Sequence, residues 1–223
     1  MKKFELTNEF ITNMFGTKLF RIRALVEFGD VEAGELGGYV EKESNLGHDD
    51  NAWVYDNAWV YGDAQVSGDA LVYDNARVYD NAWVYGDAQV SGDALVYDNA
   101  RVYGDAQVSG DARVYDNAWV YGDAQVSGDA LVYDNAWVYG DARVCGDARV
   151  CGNGDYAYAH GFGSVNRTTT FFRLKDGGVG VRCGCFYGTL AQFRDKIRET
   201  HGETKKAQEY LMLADLMKLR FEK

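Results

Sequence analysis

A six-residue repeat constrains the fold of this chain more than any other feature of its sequence. Valine recurs every six residues from Val54 to Val150, seventeen times without interruption, and alanine recurs two positions earlier each time, from Ala52 to Ala148. The unit reads (Tyr/Ser)-(Gly/Asp)-(Asp/Asn)-Ala-x-Val. A fixed short period is the signature of a solenoid, and a hexapeptide period indicates a parallel β-helix. An amphipathic helix is excluded, because a period of six does not stay in register with a helical turn.

Each hexapeptide predicts one short strand and one corner. In Ala-x-Val, strand alternation points Ala and Val to one side and x to the other. Small Ala and β-branched Val fill a narrow interior, while x is Trp, Gln, Leu or Arg and is expected to point outward. Gly-Asp and Asp-Asn are turn dipeptides that tolerate positive φ, so they form the corners.

A longer period, made of three hexapeptides, predicts three strands per coil. Residues 79–150 are four near-copies of YDNAWV-YGDAQV-SGDALV, residues 55–72 are one more copy, and residues 73–78 are a single extra hexapeptide. The predicted fold is mainly β: a three-sided parallel β-helix of about six coils, roughly 27 Å long, with a small α+β C-terminal module. The predicted domains are an N-terminal strand and capping coil (1–48), the β-helix (49–151) and a β-hairpin with two helices (152–223).

The flanking segments predict caps at both ends of the solenoid. Residues 18–28 place Phe20, Ile22, Ala24 and Val26 in alternation with arginines, which predicts a strand leading into the coils. Val40 and Leu46 lie six apart in the phase of the alanines, so residues 31–50 are expected to form a degenerate first coil that shields the open core.

After Cys151 the repeat stops and a different module follows. Thr168–Leu174 and Val179–Cys183, joined by a Lys-Asp-Gly-Gly turn, predict a hairpin. Thr189 is expected to start a helix that ends at His201-Gly202, and Thr204 to start a second one. The apolar residues of the second helix cover more than one side, so this helix either packs between solenoid and hairpin or faces a second subunit.

The repeat resembles the hexapeptide-repeat, left-handed β-helix superfamily, which includes acyltransferases and γ-class carbonic anhydrases. The segment FGDVEAGELGGYV, from Phe28 to Val40, is similar to the entry segment of bacterial and phage hexapeptide proteins labelled putative transferases. The segment CGCFYGTL, from Cys183 to Leu190, is similar to the C-terminal module of uncharacterised phage proteins of that type. The resemblance implies a left-handed coil and a phage or prophage origin. It does not specify an activity.

The residues that catalysis in that superfamily needs are missing from the repeat. Hexapeptide acyltransferases use a coil histidine as general base, and γ-class carbonic anhydrases use three histidines around zinc. Residues 49–151 contain no His and no loop insertion. His48, His160 and His201 lie outside them; His160, in a Gly-rich segment over 156–163, either belongs to a small site or is structural. Cys145, Cys151, Cys183 and Cys185 lack CxxC spacing, which argues against zinc. We therefore expect no enzyme activity, no cofactor and no metal.

The outward positions form three predicted rows, one on each side of the solenoid. The first row is Gln65, Trp83, Arg101, Trp119 and Trp137; the second is Trp53, Leu71, Gln89, Gln107, Gln125 and Arg143; the third is Trp59, Arg77, Leu95, Arg113, Leu131 and Arg149. Stacked side chains stabilise a solenoid by themselves, but an exposed Trp/Arg row also has the composition of interface hot spots. The predicted partner-binding residues are Trp83, Arg101, Trp119, Trp137, Tyr97, Tyr115 and Tyr133.

The distribution of charge narrows the possible partners. The net charge is −11, and residues 49–151 alone hold 18 Asp and 5 Arg, a net charge of −13, whereas residues 152–223 carry +4. The Asp side chains serve turns and solubility, or they imitate a polyanion. We expect a non-enzymatic binding protein with a protein partner, self-association, and no direct binding to nucleic acid or membrane. One version is an inhibitor of a host nucleic-acid-binding or defence protein; the alternatives are an acyltransferase and a purely structural homo-oligomer. The N-terminal residues do not resemble a signal peptide, and four Cys in such a chain predict the bacterial cytoplasm.

Overall fold

The computed structural model of the chain describes residues 2–162 and 166–222. It is mainly β, with a parallel β-solenoid of about six coils, a small antiparallel sheet and two C-terminal helices, which confirms the predicted fold class. In the solenoid, each strand pairs in parallel with the third strand before it and the third strand after it; Arg101, for example, pairs with both Trp83 and Trp119. Three strands therefore make one coil, and the three predicted rows are confirmed as three faces.

The strands of the solenoid are short and fall on those three faces. Face one consists of β6 (Gln65–Val66), β9 (Trp83–Tyr85), β12 (Arg101–Tyr103), β15 (Trp119–Tyr121) and β18 (Trp137–Val138). Face two consists of β4 (Trp53–Val54), β7 (Leu71–Val72), β10 (Gln89–Val90), β13 (Gln107–Val108), β16 (Gln125–Val126) and β19 (Arg143–Val144). Face three consists of β5 (Trp59–Val60), β8 (Arg77–Val78), β11 (Leu95–Val96), β14 (Arg113–Val114), β17 (Leu131–Val132) and β20 (Arg149–Val150).

The interior and the corners follow the repeat. The repeat Ala and Val side chains, from Ala52 to Val150, are at most 1% exposed. At each corner the first residue of the turn dipeptide has positive φ, as at Asp80 (58°) and Gly86 (72°). Glycine is needed at Gly86, because a Cβ there would lie 3.0 Å from the backbone nitrogen of Gly104 on the next coil. The inward positions and the corner conformation were thus predicted correctly.

The N-terminal end is closed by an antiparallel cap. It consists of β1 (Phe4–Thr12), β2 (Lys18–Ala24) and β3 (Leu36–Val40). Strand β3 also pairs in parallel with β5 and so joins the cap to face three. The predicted strand over 18–28 is shorter than expected, because the chain turns after Ala24 and Val26 lies outside it. The strand β1 had no prediction.

The first coil is longer than the repeat predicts. Val40 pairs with Val60, and Leu46 forms a bridge to Val66, so the separation between partners exceeds that of the repeat by two positions. The prediction that Val40 and Leu46 occupy alanine positions was therefore wrong: they occupy valine positions. Two extra residues between Leu46 and Ala52 widen that corner and restore the phase of the repeat.

Trp53 is the exception among the outward side chains. It occupies an x position on face two, yet it is fully buried. The rings of Phe4 and Phe28 in the cap lie 6.2 and 5.3 Å from its ring. The expectation that Trp53 points into solvent was wrong, because the cap folds over the first strand of face two.

The C-terminal module is a sheet packed on the last coil. Its strands are β21 (Tyr156–Phe162), β22 (Arg167–Arg173), β23 (Val179–Cys183) and β24 (Phe186–Thr189), all antiparallel. The pair β22–β23 is the predicted hairpin. Tyr156, Phe172 and Leu174 join the hydrophobic core of the solenoid and close its open end.

Two helices cover the other side of that sheet. Helix α1 (Leu190–His201) is capped by the Thr189 hydroxyl, which accepts from the Gln192 amide at 3.3 Å, and helix α2 (Lys205–Phe221) is capped by Thr204. Their buried residues pack on Phe171 and Val181. Helix α2 therefore does not lie between solenoid and hairpin, as one prediction had it, because the sheet takes that place.

Candidate functional site

Face one carries a continuous stack of large planar side chains on its outer surface. The Arg101 guanidinium lies 5.3 Å from the centre of the Trp83 ring and 4.9 Å from that of Trp119. Trp119 in turn stacks on Trp137, with ring centres 5.2 Å apart and planes 13° apart. Trp83 and Trp137 are each 43% exposed. Parallel pairing holds these residues one coil apart, which is the distance at which planar groups stack.

A column of tyrosines runs beside this row. Strands β9, β12 and β15 extend one residue beyond valine, so Tyr85, Tyr103 and Tyr121 point outward next to the tryptophan row. Their rings and that of Tyr139 stack 4.8–5.3 Å apart, and Tyr103 contacts Trp119 edge-on at 6.2 Å. We call this surface the tryptophan face; it comprises Trp83, Arg101, Trp119, Trp137, Tyr85, Tyr103, Tyr121 and Tyr139.

The structure places three of the predicted site residues elsewhere. Tyr97, Tyr115 and Tyr133 belong to a second stack, with ring centres 4.9–5.2 Å apart, which also contains Tyr61 and Tyr79. This stack follows the strands of face three. Burial raises the pKa of Tyr97 and Tyr115, and the face-three arginine Arg113 partly opposes that shift. Trp83, Arg101, Trp119 and Trp137 are brought together as predicted, but the tyrosines beside them are Tyr85, Tyr103, Tyr121 and Tyr139. Strand alternation would have identified these, because Tyr85 lies two residues after Trp83.

Burial raises the pKa of two tyrosines of the tryptophan face, Tyr103 and Tyr121. The neighbouring hydroxyls of Tyr85 and Tyr121 raise the pKa of Tyr103 further. Burial likewise raises the pKa of Asp80, and the carboxylate of Asp98 on the next coil adds to this effect. The site thus combines stacked aromatic columns with carboxylates at the corners of the same coils.

A polar cleft lies where face two meets the C-terminal sheet. It has a volume of about 560 Å³ and is lined by Asp123, Gln125, Asp141, Arg143, His160, Asn166, Arg167, Thr168 and Gly184. The exposed His160 has its Nδ1 2.8 Å from the Thr168 hydroxyl and 3.8 Å from a carboxylate oxygen of Asp141. The predicted segment around His160 extends to residue 163, and residue 163 lies outside the described residues. His160 thus lines a cleft, in which its contacts are the Thr168 hydroxyl and the Asp141 carboxylate.

The other two histidines pack against aromatic rings. His48 stacks on Phe4 at 4.5 Å, and its Nδ1 accepts from the Lys3 backbone amide at 3.2 Å. His201 stacks on Tyr210, with ring centres 6.0 Å apart. Both have contacts that account for their positions in the two caps.

The four cysteines are free thiols. Cys151 donates to a carboxylate oxygen of Asp155 at 3.0 Å, which raises its pKa, and burial raises the pKa of Cys145. Cys183 and Cys185 line a cavity of about 270 Å³ in the C-terminal module, where burial and the nearby Cys183 raise the pKa of Tyr210 to about 12. Within residues 2–162 and 166–222, no group of three or more His, Cys, Asp or Glu side chains is arranged to hold a metal ion.

Comparison with known protein families matches the repeat alone. A family model described as the YdcK beta solenoid repeat matches residues 64–76, 70–86, 88–104, 106–122 and 124–140. The last four matches begin at positions 70, 88, 106 and 124, so successive matches are offset by one coil. The solenoid is therefore similar to that repeat and is a β-solenoid by sequence as well as by structure. A comparison with curated proteins finds no match.

Neither α1 nor α2, nor any other helix in the described part of the chain, is both long and apolar enough to cross a membrane.

Proposed function

We propose that the chain is a non-enzymatic binding protein that presents the tryptophan face to a protein partner. One observation carries this proposal: tryptophans, an arginine and tyrosines form one stacked, partly exposed surface on a single face. The outer positions of face two, below the buried Trp53, are Leu71, three glutamines and Arg143. Trp, Tyr and Arg are the residues that contribute most to the free energy of binding at protein interfaces.

The rigidity of the surface favours binding. Each ring is held by hydrogen-bonded coils above and below, as between the Trp83 amide and the Ala100 carbonyl at 2.9 Å. Little side-chain freedom remains to be lost on association, and this lowers the entropic cost of an interface. Stacking also contributes to the stability of the solenoid itself, so stability and binding must be measured separately.

The orientation of the rings favours a protein over a carbohydrate. Carbohydrates dock on the flat faces of aromatic rings, but Trp119 has Arg101 on one side and Trp137 on the other. Both faces of the Trp119 ring are therefore covered, and its edge is what remains accessible in the middle of the row. Such edges suit the mixed apolar and hydrogen-bonding contacts of a protein interface.

The experiment compares Trp119→Ala with the matched control Gln107→Ala on face two. Partner binding is measured by capture from bacterial lysate followed by mass spectrometry, and the mass of the chain by light scattering. We expect Trp119→Ala to abolish capture of the partner, because truncation of a central hot-spot residue typically costs about 2 kcal/mol or more, while Gln107→Ala retains it. Raising the salt to about 0.5 M is expected to have a smaller effect, because apolar contacts are not screened.

A second candidate function rests on the charge density. Eighteen aspartates over residues 49–151, on a solenoid of roughly 27 Å, give about one carboxylate per 1.5 Å, close to the one phosphate per about 1.7 Å of double-stranded DNA. This supports an inhibitor of a nucleic-acid-binding or defence protein, with aspartates in place of phosphates. Partner binding that survives Trp119→Ala but is lost at about 0.5 M salt would favour this function over the first.

Self-association is proposed through helix α2. Its outer side exposes Met212 (71%), Leu216 (55%) and Leu219 (70%), three apolar residues spaced along one side of the helix. We expect Leu216→Glu to lower the mass measured by light scattering without lowering the melting temperature. An unchanged mass would remove this surface from the proposal and leave the purely structural homo-oligomer without support.

The relationship of this protein to hexapeptide-repeat proteins, its origin and its cellular location are also proposals. The resemblance to hexapeptide-repeat proteins labelled putative transferases keeps acyl transfer as the alternative activity, but residues 49–151 contain no histidine to act as general base. The similarity of the flanks to phage proteins supports a phage or prophage origin. Four free cysteines support action in the bacterial cytoplasm.

A further inference from the structure

A notch interrupts the outer surface of face one near its N-terminal end. It has a volume of about 310 Å³ and is lined by Gln65, Ser67, Trp83 and Tyr85. Gln65 pairs with Trp83 in the sheet, so it precedes Trp83 in the same row, and Ser67 precedes Tyr85 in the tyrosine column. The notch is therefore the place where two adjacent columns of planar side chains both begin.

Both rings have one face covered and the other directed toward the notch. Tyr85 stacks on Tyr103 at 4.8 Å, and Trp83 lies against Arg101. On the opposite side, the preceding coil supplies only the short Ser67 and the exposed Gln65. The coil spacing is the stacking distance, so a planar group placed beside Gln65 would continue the stack.

The solenoid itself shows which planar group fits such a position. Arg101 occupies one position of the tryptophan row, with its guanidinium between two indoles. Arg77 repeats the arrangement on face three, 4.3 Å from the centre of the Trp59 ring. Guanidinium groups stack on indole through cation–π attraction and through their planar shape.

The charge beside the notch favours a cation. The exposed Asp69 and Asp87 follow Ser67 and Tyr85 by two residues at the same corner of the solenoid. Asp69 accepts hydrogen bonds from the backbone and side-chain amides of Asn51, and the Lys3 ammonium of the cap also interacts with it, whereas Asp87 adds a second exposed carboxylate. Two carboxylates next to two aromatic faces form an environment that attracts a planar cation and repels an anion.

We infer that this notch binds the guanidinium group of an arginine side chain on a basic partner protein, stacked on Trp83 and Tyr85. The inference rests on the proposed function and adds the chemistry of the partner. A second copy of this chain is the less suitable occupant of the notch, because the solenoids of two copies each carry a net charge of −13 over residues 49–151 and repel each other there; the self-association proposed above uses helix α2 instead. A basic protein is attracted by the same charge.

The test is a titration of the full chain with N-acetyl-arginine amide, followed through the indole N–H signals in an NMR spectrum. N-acetyl-lysine amide and N-acetyl-citrulline amide are the comparison ligands, since lysine is charged but not planar and citrulline is planar but neutral. We expect saturable shifts of the Trp83 signal, identified with Trp83→Phe, for the arginine probe and much smaller shifts for the other two. Equal shifts with citrulline would overturn the assignment of a cation, and equal shifts with lysine that of a planar group.

The variant Gln65→Trp locates the binding. It fills the notch with the side chain that the same row already carries at Trp83 and Trp119, so the fold is expected to tolerate it. Gln107→Trp, on face two, is the matched control. Loss of the arginine-induced shift in Gln65→Trp but not in Gln107→Trp supports the inference. Retention of the shift in Gln65→Trp would overturn it.

Two further results separate this inference from the proposed function. Trp119 does not line the notch, so the titration stays interpretable even if Trp119→Ala leaves partner binding unchanged. In that case arginine binding stands and the wider tryptophan face is removed as an interface. If light scattering shows an oligomer that dissociates in Gln65→Trp, the occupant is a second copy of the chain, and the assignment to a basic partner is overturned.

Discussion

Lys3 provides the sharpest test of how the N-terminal cap is attached to the solenoid. Its side chain is buried, with 3% exposed, and its Nζ donates to the carbonyl oxygens of Ala52 at 2.8 Å and Asp50 at 3.2 Å. The same ammonium lies 4.6 Å from the centre of the Phe28 ring. Lys3 thus connects the first strand of the cap to the widened corner before the first repeat.

The pKa of Lys3 determines how the free energy of unfolding depends on pH. Burial lowers this pKa to about 8, although Asp50, Asp49 and Asp69 partly oppose the effect. An unfolded lysine titrates near 10.4. Between these values the unfolded chain binds more protons than the folded one, so the stability of the fold rises with pH. Each unit is worth about 1.4 kcal/mol, so the rise amounts to roughly 2 kcal/mol between about pH 8 and pH 9.5.

The measurement compares the wild type with Lys3→Met by urea unfolding across this range of pH. Tyrosines and cysteines also titrate in the alkaline range, but they are common to both proteins, so the difference between the two isolates Lys3. We expect the stability of the wild type relative to Lys3→Met to increase by about 2 kcal/mol over the window. Lys2→Met, which removes an exposed lysine paired with Glu43, is the control. A difference that stays constant across the window would show that Lys3 is solvated and that the cap is not attached through it.

Three further predictions test the interior, the corners and the absence of catalysis. Val102→Asp buries a carboxylate without a partner in a fully buried row and is expected to cost roughly 4 kcal/mol in urea unfolding, whereas Gln107→Asp on the exposed outer surface should be nearly silent; similar losses would mean that inward and outward are exchanged. Gly104→Ala places a Cβ 3.1 Å from the next coil at φ 69° and is expected to lower stability by about 1–2 kcal/mol, while Gly152→Ala, with open space around it, should change stability by less than about 0.5 kcal/mol. Incubation with acetyl-CoA and a panel of sugar and amine acceptors should release no CoA above background, and turnover that disappears in His160→Ala would overturn the non-enzymatic proposal.

The regular part of the fold could be predicted because the same residue contacts repeat in every coil. Once Val102 is assigned to the interior, the hexapeptide period assigns the other repeat valines, and the period of three hexapeptides assigns Trp83, Arg101 and Trp119 to one face. Local chemistry also predicted both helix starts, since Thr189 and Thr204 each cap an apolar stripe. Such predictions depend on contacts between residues at fixed sequence separations.

The predictions that failed concern residues whose contacts are not separated by a fixed number of positions in the sequence. Trp53 is buried because the cap, which begins far earlier in the sequence at Phe4, folds over it. The shift of Leu46 from an alanine to a valine position needs knowledge of how many residues the widened corner holds. The tyrosine column of the site was assigned to Tyr97 instead of Tyr103 for another reason: the hexapeptide unit begins at Tyr97 and contains Arg101, whereas strand alternation places Tyr103, two residues after Arg101, beside it. The first two failures are properties of single corners, which an average repeat does not specify.

The position of the notch follows from one hexapeptide, residues 73–78. Before it, the order Trp, Gln, Leu places Trp59 on face three and Gln65 on face one; after it, the same order places Trp83 on face one. Adding a single strand rotates the pattern of outer side chains by one face while leaving the Ala and Val interior unchanged, because every face presents the same interior to the core. The type of side chain in each outer column therefore changes at that coil. Trp83 follows Gln65 in one column, and Tyr85 follows Ser67 in the next. A solenoid with strict copies of the three-hexapeptide unit would carry unbroken columns at this point. An insertion that is silent in the core thus creates an open aromatic step on the surface, where a partner's side chain has access to it.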